Sequence, residues 1–209
     1  MGSLLGKITV ETPKFQLLKS TTEYEIRKYS PCVVAQVTYD PSQTKGDRDG
    51  GFSILASYIG VIGQPQNTKP EKIAMTAPVI TSTESETIAM TAPVVTKSES
   101  SGQSDQKKLV TMQFVLPSEY TKAEEAPKPT DERVVIKEEG GKTYGVIKFS
   151  GVATDAVVEE KVEKLKKSLE KDSYKVIGGY LLARYNPPWT LPPLRTNEIM
   201  IPIELVEST

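Results

Sequence analysis

The fold is decided by residues 154–171, which have the sequence TDAVVEEKVEKLKKSLEK. Four apolar residues in this segment, Val158, Val162, Leu165 and Leu169, recur three or four positions apart. On a helix they form one narrow stripe of roughly 60°, and lysine and glutamate occupy most of the remaining surface. A stripe of this width is sufficient to pack on one face of a β-sheet, so the segment predicts a helix that lies on a sheet.

Alternating apolar and polar residues predict strands on both sides of this helix. Before it, residues 134–136 and 144–149 flank Glu-Gly-Gly-Lys at 139–142, which is a hairpin signal. After it, strands are expected near residues 174–185 and 198–203. The segment before residue 134 is rich in proline and is predicted to be a connection.

The N-terminal half of the chain has the same order of elements. Strands are predicted at residues 24–29 and 33–39, a helix at about 49–62, and a further strand at 110–116. The half-polar alternation favours an antiparallel sheet with one solvent-exposed face. We therefore expect an α+β fold: a distorted antiparallel β-barrel or curved sheet with two flanking helices and two pseudo-repeats.

Composition excludes several classes of function. The net charge is −1 and no basic run stands out, which argues against a nucleic-acid partner. Cys32 is the only cysteine and there is no histidine, so neither a typical zinc site nor a histidine-dependent catalytic triad is expected. No apolar run approaches the ~20 residues that span a membrane, so membrane insertion is not expected. The cytoplasm is the expected location.

The helix predicted at residues 49–62 differs from the second one. Its apolar side chains form two adjacent stripes that together cover roughly 220° of the circumference. The stripes consist of Phe52, Leu55, Ala56 and Ile59, and of Ile54, Tyr58, Val61 and Ile62. A helix on one face of a sheet buries less than this, so the surplus needs another cover. A loop of the chain, another subunit or a ligand could supply it.

The chain also contains a short repeat and polar segments. Residues 72–81, KIAMTAPVIT, return as TIAMTAPVVT at 87–96. Either the second copy only lengthens a surface hairpin, or both copies compete for one place in the sheet. Residues 97–108 are polar and predict a mobile loop. We expect one domain over residues 12–204 and flexible termini at 1–11 and 205–209.

Three motifs carry a resemblance to a known family. They are YEIRKY at residues 24–29, MTAPV at 75–79, and YNPP at 185–188 with Asn197-Glu198 downstream. On these motifs the sequence resembles the SOUL haem-binding family, and its plant cytosolic members most closely. The resemblance implies a distorted antiparallel barrel with two helices and two pseudo-repeats. It also implies that the protein binds haem and metal-free porphyrins without catalysis, as a carrier or buffer.

The resemblance implies a groove between the first helix and the loop that follows residue 188. A porphyrin is a flat apolar plate with two propionates at one edge, so it needs an apolar slot and a cation at the rim. The expected cofactor-binding residues are Phe52, Leu55, Tyr58, Ile59 and Ile62 on the helix, Trp189 and Leu191 on the loop, and Arg195 for a propionate. Alternatively, Phe52 or Leu55 belongs to the core, Trp189 packs its own loop, and Arg195 pairs with Glu198.

The sequence departs from the family where iron would be ligated. Relatives with a proposed axial ligand have histidine where Lys28 stands, and basic residues of their first helix are replaced on the matching face by Asp49 and Ser57. Haem is therefore expected to be held by apolar contacts and rim charges, with the iron unligated or weakly ligated. Cys32 and Tyr58 are the alternative iron ligands, although Cys32 is better explained as a buried thiol in a strand.

Two other classes of function remain open on sequence alone. The apolar face of the first helix could bind a protein partner, which would give no saturable haem binding. A hydrolase-like effector-binding domain would need a carboxylate and a tyrosine in a closed pocket, with Glu25, Glu198 and Tyr58 as the candidates.

Overall fold

The protein is described by a computed structural model over residues 6–41, 50–85 and 108–205. Within these ranges the regular structure consists of two helices, ten strands and short 3₁₀ turns at Ala123–Glu125 and Pro192–Leu194. The helices are α1 Gly50–Tyr58 and α2 Asp155–Lys171. The strands are β1 Phe15–Ser20, β2 Glu25–Tyr29, β3 Cys32–Tyr39, β4 Val79–Ser85, β5 Lys108–Val115, β6 Val135–Glu139, β7 Thr143–Phe149, β8 Lys175–Val176, β9 Leu181–Arg184 and β10 Asn197–Glu204.

The strands form one curled antiparallel sheet in the order β1-β2-β7-β10-β9-β4-β5-β3-β6, and β8 pairs with the end of β10. β4 and β9 pair at its centre. On one side follow β5, β3 and β6, with α1 packed on β3 and β5; on the other follow β10, β7 and β2, with α2 packed on β7 and β10. The two halves thus repeat one arrangement. The predicted α+β fold, a curved antiparallel sheet with two flanking helices and two pseudo-repeats, is confirmed.

Helix α2 forms where the sequence predicts it. Thr154 caps its N-terminus, with its side-chain oxygen accepting a hydrogen bond from the backbone N–H of Val157 at 3.4 Å. The four residues of the predicted stripe are all buried. They pack against isoleucines of the sheet, chiefly Ile147 on β7 and Ile199, Ile201 and Ile203 on β10. Apolar burial along this single stripe therefore fixes α2 on the sheet.

Helix α1 is shorter than predicted because its end is set by a glycine. Gly60 has a φ of +78°, and its N–H donates to the carbonyl of Ser57 while the N–H of Val61 donates to the carbonyl of Ala56. These two bonds form a Schellman motif, which ends a helix. The extension of the first helix to residue 62 is therefore wrong. At its start, Gly51 lies so close to β3 that a Cβ would be 2.7 Å from the Tyr39 ring.

Some parts of the structure gave no sequence signal or lie outside the described ranges. All six residues of β1 are exposed, so this edge strand shows no alternation. In the N-terminal segment predicted to be flexible, the Glu11 carbonyl accepts the N–H of Ala77 at 2.9 Å. The first copy of the repeat contributes the start of β4. The second copy, and the predicted mobile loop up to Lys107, lie outside the described residues.

Candidate ligand-binding surfaces

Residues 186–196 form a loop between β9 and β10, called here the proline loop, that is held by hydrogen bonds at several points. Its first residue, Asn186, donates through Nδ2 to the carbonyl of Gly6 at 3.2 Å. Farther along, the carbonyl of Pro192 accepts the N–H of Gly151 at 2.9 Å. Four of the loop residues are prolines, which fix the backbone φ angle. The conformation of the loop is therefore set by the protein itself.

The proline loop presents large apolar side chains to solvent. Trp189 is 66% exposed, Leu191 52% and Leu194 41%. Thr190, between the first two, is buried. The alternative in which Trp189 packs its own loop is therefore wrong. Three large exposed apolar side chains within six residues make this loop a candidate binding surface.

Arg195 holds the proline loop from within. Its Nε donates to the carbonyl of Thr190 at 2.8 Å, and its Nη2 donates to the carbonyl of Pro188. The guanidinium is half-buried and has five N–H groups, so donors remain beyond these two bonds. The alternative pairing of Arg195 with Glu198 is wrong, because Glu198 forms its ion pair with Arg27.

Three residues of the predicted groove wall lie in the core. Leu55, Tyr58 and Ile59 are each at most 2% exposed. They belong to one cluster with apolar residues of β3 and β5. The prediction that these three side chains form an accessible wall is therefore wrong for this structure.

The chain itself covers α1 on the side away from the sheet. The Tyr58 hydroxyl donates to the carbonyl of Pro127 at 2.8 Å, and Asn67 Nδ2 donates to the Tyr58 carbonyl at 3.1 Å. Ala126 and Val134 are buried in the same cluster. The sequence left open whether a loop of the chain, another subunit or a ligand covers the helix. The structure shows that a loop of the chain does so. Burial also raises the pKa of Tyr58, and its hydroxyl is already engaged by the Pro127 carbonyl.

The remaining two helix-side candidates are placed differently. Phe52 is half-buried, with its ring centroid 5.4 Å from that of Phe114 in an edge-on contact. Ile62 is 46% exposed and lies beyond the end of α1, next to Val61, which is 52% exposed. The structure therefore brings Trp189, Leu191 and Arg195 together in one loop, and it separates the other candidates into core and surface residues.

A buried polar network that the sequence did not predict lies on the concave face of the sheet. Arg27 Nη1 donates to Glu198 Oε1 at 2.9 Å, and Arg27 Nε donates to Glu25 Oε2 at 2.6 Å. Tyr185 donates to Glu198 Oε2 at 2.7 Å, and the Tyr29 hydroxyl accepts from Arg27 Nη1 at 3.1 Å. All five of these residues lie in the first and third motifs, the third including Asn197-Glu198. The sequence feature that could have indicated this network is the alternation in YEIRKY, which puts Arg27 and Tyr29 on one face of β2.

Burial dominates the electrostatics of this network. It raises the pKa of Tyr29 to about 12, even though the hydrogen bond from Arg27 acts in the opposite direction. Burial, and next the negative charge of Glu198, raises the pKa of Tyr185. Burial alone would lower the pKa of Arg27, but Glu198 and the other partners outweigh it and the pKa is raised. Both phenols are therefore neutral and Arg27 is charged near neutral pH.

A cavity of about 580 Å³ lies on the concave face beside this network. It is lined at one end by Tyr29, Tyr144, Tyr185, Leu181 and Met200. Its volume lies within the range that is typical of small-molecule sites. Neither helix α1 nor the proline loop, Trp189 included, contributes a residue to the lining of this cavity.

Cys32 also lines this cavity at the start of β3. Its thiol is half-buried, and burial, together with the nearby Glu139 carboxylate, raises its pKa. Such a thiol is a poor source of thiolate for metal binding. Within the described ranges, no group of three or more Cys, Asp or Glu side chains is placed to hold a metal ion. No helix among the described residues is long and apolar enough to cross a membrane.

Solved structures share the fold at low sequence identity. The C-terminal domain of EcmrR has a TM-score of 0.54 and 12% identity, over 92% of this chain and 99% of that one. An uncharacterized conserved protein from Listeria innocua has a TM-score of 0.54 and 13% identity, over 87% and 92%. EcmrR in a DNA complex has a TM-score of 0.53 and 12% identity, over 88% and 58%. At these identities the likeness shows the fold alone.

At the level of sequence, no curated protein matches this chain. The model of the SOUL haem-binding protein family, in contrast, matches residues 10–202, which is nearly the whole chain and includes all three motifs. The chain therefore belongs to the SOUL haem-binding protein family.

Proposed function

We propose that this protein binds haem or another tetrapyrrole reversibly on the outer surface of the proline loop, as a non-catalytic carrier or buffer in the cytoplasm. Family membership supports the class of ligand. The observation that carries the location is the exposure of Trp189, Leu191 and Leu194 on a loop whose backbone is already fixed. A preorganised apolar surface binds a flat ligand with little further loss of conformational entropy.

The contacts expected at this surface are apolar, with charge at one edge. The indole of Trp189 and the side chain of Leu191 can lie against the porphyrin plane. Arg195 can donate to a propionate with the N–H groups that its carbonyl bonds do not use. Because the chain has no histidine, we expect no strong axial bond to the iron.

The three hydrolase candidates are all engaged in structural contacts, which supports a non-catalytic function. Glu25 and Glu198 both bind Arg27, and the Tyr58 hydroxyl donates to a backbone carbonyl inside the core. A general acid or base needs a free position beside its substrate.

The test is an absorbance titration of the purified protein with haemin and with protoporphyrin that lacks iron. We expect saturable binding of both with similar affinity, because the iron is not recognised. Trp189 is the only tryptophan, so quenching of the intrinsic indole fluorescence gives a second measure of binding, whereas site-directed variants are needed to locate the site. Tight haemin binding with no protoporphyrin binding would contradict the proposal, since it would require an iron ligand.

A pair of matched variants locates the site. Leu191→Ser removes an apolar side chain that is 52% exposed on the proline loop, and Leu17→Ser removes one that is 51% exposed on β1. We expect the first to weaken haemin binding by roughly tenfold and the second to leave it unchanged. Equal effects would show that haemin adheres to exposed apolar surface in general. No saturable binding by the wild type, with a mass in light scattering that rises with concentration, would instead indicate a protein-interaction surface.

A further inference from the structure

The cavity on the concave face lies on the opposite side of the sheet from both helices. In β3, Val33, Ala35 and Val37 pack in the α1 cluster, whereas the alternate residues Val34, Gln36 and Thr38 line the cavity. The two faces of the sheet therefore carry different surfaces. A ligand in the cavity would not meet the proline-loop residues Trp189 and Leu191, which are not among its lining.

One end of this cavity is aromatic. Tyr29, Tyr144 and Tyr185 line it together with the thioether of Met200. The rings of Tyr29 and Tyr144 meet edge to face, with centroids 5.8 Å apart. Aromatic rings and polarizable sulfur form favourable contacts with flat aromatic molecules, and ring faces attract cations.

The charge behind the aromatic end is negative. One guanidinium, that of Arg27, lies between two carboxylates, those of Glu25 and Glu198, so the cluster has a formal charge of −1. The side chains of Arg27 and Glu198 are 7% and 4% exposed and their charges offset each other, so the excess negative charge is that of Glu25, which is 35% exposed. The hydroxyls of Tyr29 and Tyr185 bond directly to the cluster, which connects it to the cavity lining.

The positive charges near the cavity are on its rim and in water. Lys142 is 52% exposed and is paired with Glu139 at 2.8 Å, which compensates its charge. Lys137 lines the cavity but is exposed. Lys148 pairs in register with Glu198 and is also exposed. Solvent and salt therefore screen the charges of these three exposed lysines.

We propose that the concave cavity is a second binding site, for a flat aromatic cation. Its volume, its aromatic end and the excess carboxylate behind that end match such a molecule. The dianionic edge of a tetrapyrrole is less suited to it, because propionates would face a negative cluster. This inference goes beyond the proposed function and assigns a separate ligand to a separate face of the sheet.

The test compares two fluorescent probes of opposite charge, the aromatic cation ethidium and the aromatic anion anilinonaphthalene sulfonate, by titration of the full chain. Ethidium should bind at least about tenfold more tightly, because its charge is favourable at the cluster. Glu25→Gln, which neutralises the 35% exposed carboxylate of the cluster, should weaken ethidium binding by about three- to tenfold. Glu23→Gln is the matched control, since Glu23 contacts Lys164 and Ser168 of α2 on the other face.

A second variant tests whether ethidium binds in the cavity. Tyr144→Leu keeps apolar bulk but removes a ring from the lining, and we expect ethidium binding to fall by at least about threefold. Circular dichroism checks that this variant is folded, and haemin binding should be unchanged. Equal binding of both probes, or equal effects of Glu25→Gln and Glu23→Gln, would overturn the proposal. Loss of haemin binding in Tyr144→Leu but not in Leu191→Ser would also overturn it, because the cavity would then hold the tetrapyrrole.

Discussion

The two helices occupy equivalent places on the sheet but are covered in different ways. Helix α2 has 17 residues, buries one apolar stripe and exposes the rest of its surface. Helix α1 has nine residues, and its far side is covered by the loop that includes Pro127. The difference teaches that a broadly apolar helix need not indicate a ligand. A long connection elsewhere in the chain can supply the missing cover.

The largest expected effect tests whether both helices are equally structural. Leu55 on α1 and Leu165 on α2 are both fully buried, so truncation of either leaves a cavity. We expect Leu55→Ala and Leu165→Ala each to lower the free energy of unfolding by about 3 kcal/mol. Urea denaturation followed by circular dichroism measures both.

The same two variants can also contradict the view that both helices are equally structural. If Leu55 faced a ligand rather than the core, its truncation would cost much less stability than that of Leu165. It would then weaken haemin binding specifically, and the groove predicted from the sequence would be restored.

A smaller effect tests the cover of α1. Tyr58→Phe removes the hydroxyl that donates to the Pro127 carbonyl at 2.8 Å and leaves a buried carbonyl without that partner. We expect a loss of about 1–2 kcal/mol in the free energy of unfolding and no change in haemin affinity. Unchanged stability together with altered haemin binding would show that the hydroxyl serves the ligand.

The parts of the fold that were predictable are those set by local pattern. The stripe of α2 and the positions of β3, β5, β7 and β10 all follow from neighbouring residues. Edge strand β1 was not predictable because both of its faces are exposed. The end of α1 was not predicted correctly because the apolar stripe continues to Val61 and Ile62, whereas Gly60 ends the helix before them.

The candidate site was less predictable because it depends on contacts between distant residues. The bond that buries Tyr58 joins positions 69 residues apart, and the pair Arg27–Glu198 joins positions 171 residues apart. Periodicity along one helix gives the width of its apolar surface but does not say what lies over it. The proline loop was easier to identify, since its apolar residues are adjacent in sequence.

The smallest expected effect concerns two ion pairs, one at the end of α2 and one in the loop that covers α1. At the end of α2, Asp172 accepts from Lys19 Nζ at 2.8 Å, and the residues are 153 positions apart. In the loop that covers α1, Asp131 pairs with Arg133 only two positions away. A pair so close in sequence can also form in the unfolded chain, whereas the Lys19–Asp172 pair requires the fold.

This difference has a consequence for stability in acid. The hydrogen bond from Lys19, and next that from Tyr24, lowers the pKa of Asp172 below its ordinary value of 3.8. A carboxyl with a lowered folded-state pKa stabilises the fold above its unfolded pKa, and this stabilisation is lost as the pH falls through the folded pKa. Asp172→Asn should therefore reduce the loss of stability between pH 5 and pH 2, by about the small amount expected of an exposed pair. Asp131→Asn should change that loss of stability less, because Arg133 can pair with Asp131 in both the folded and the unfolded chain. Urea denaturation midpoints at several pH values measure both variants. Equal shifts of the midpoint in the two variants would show that separation in sequence does not matter here.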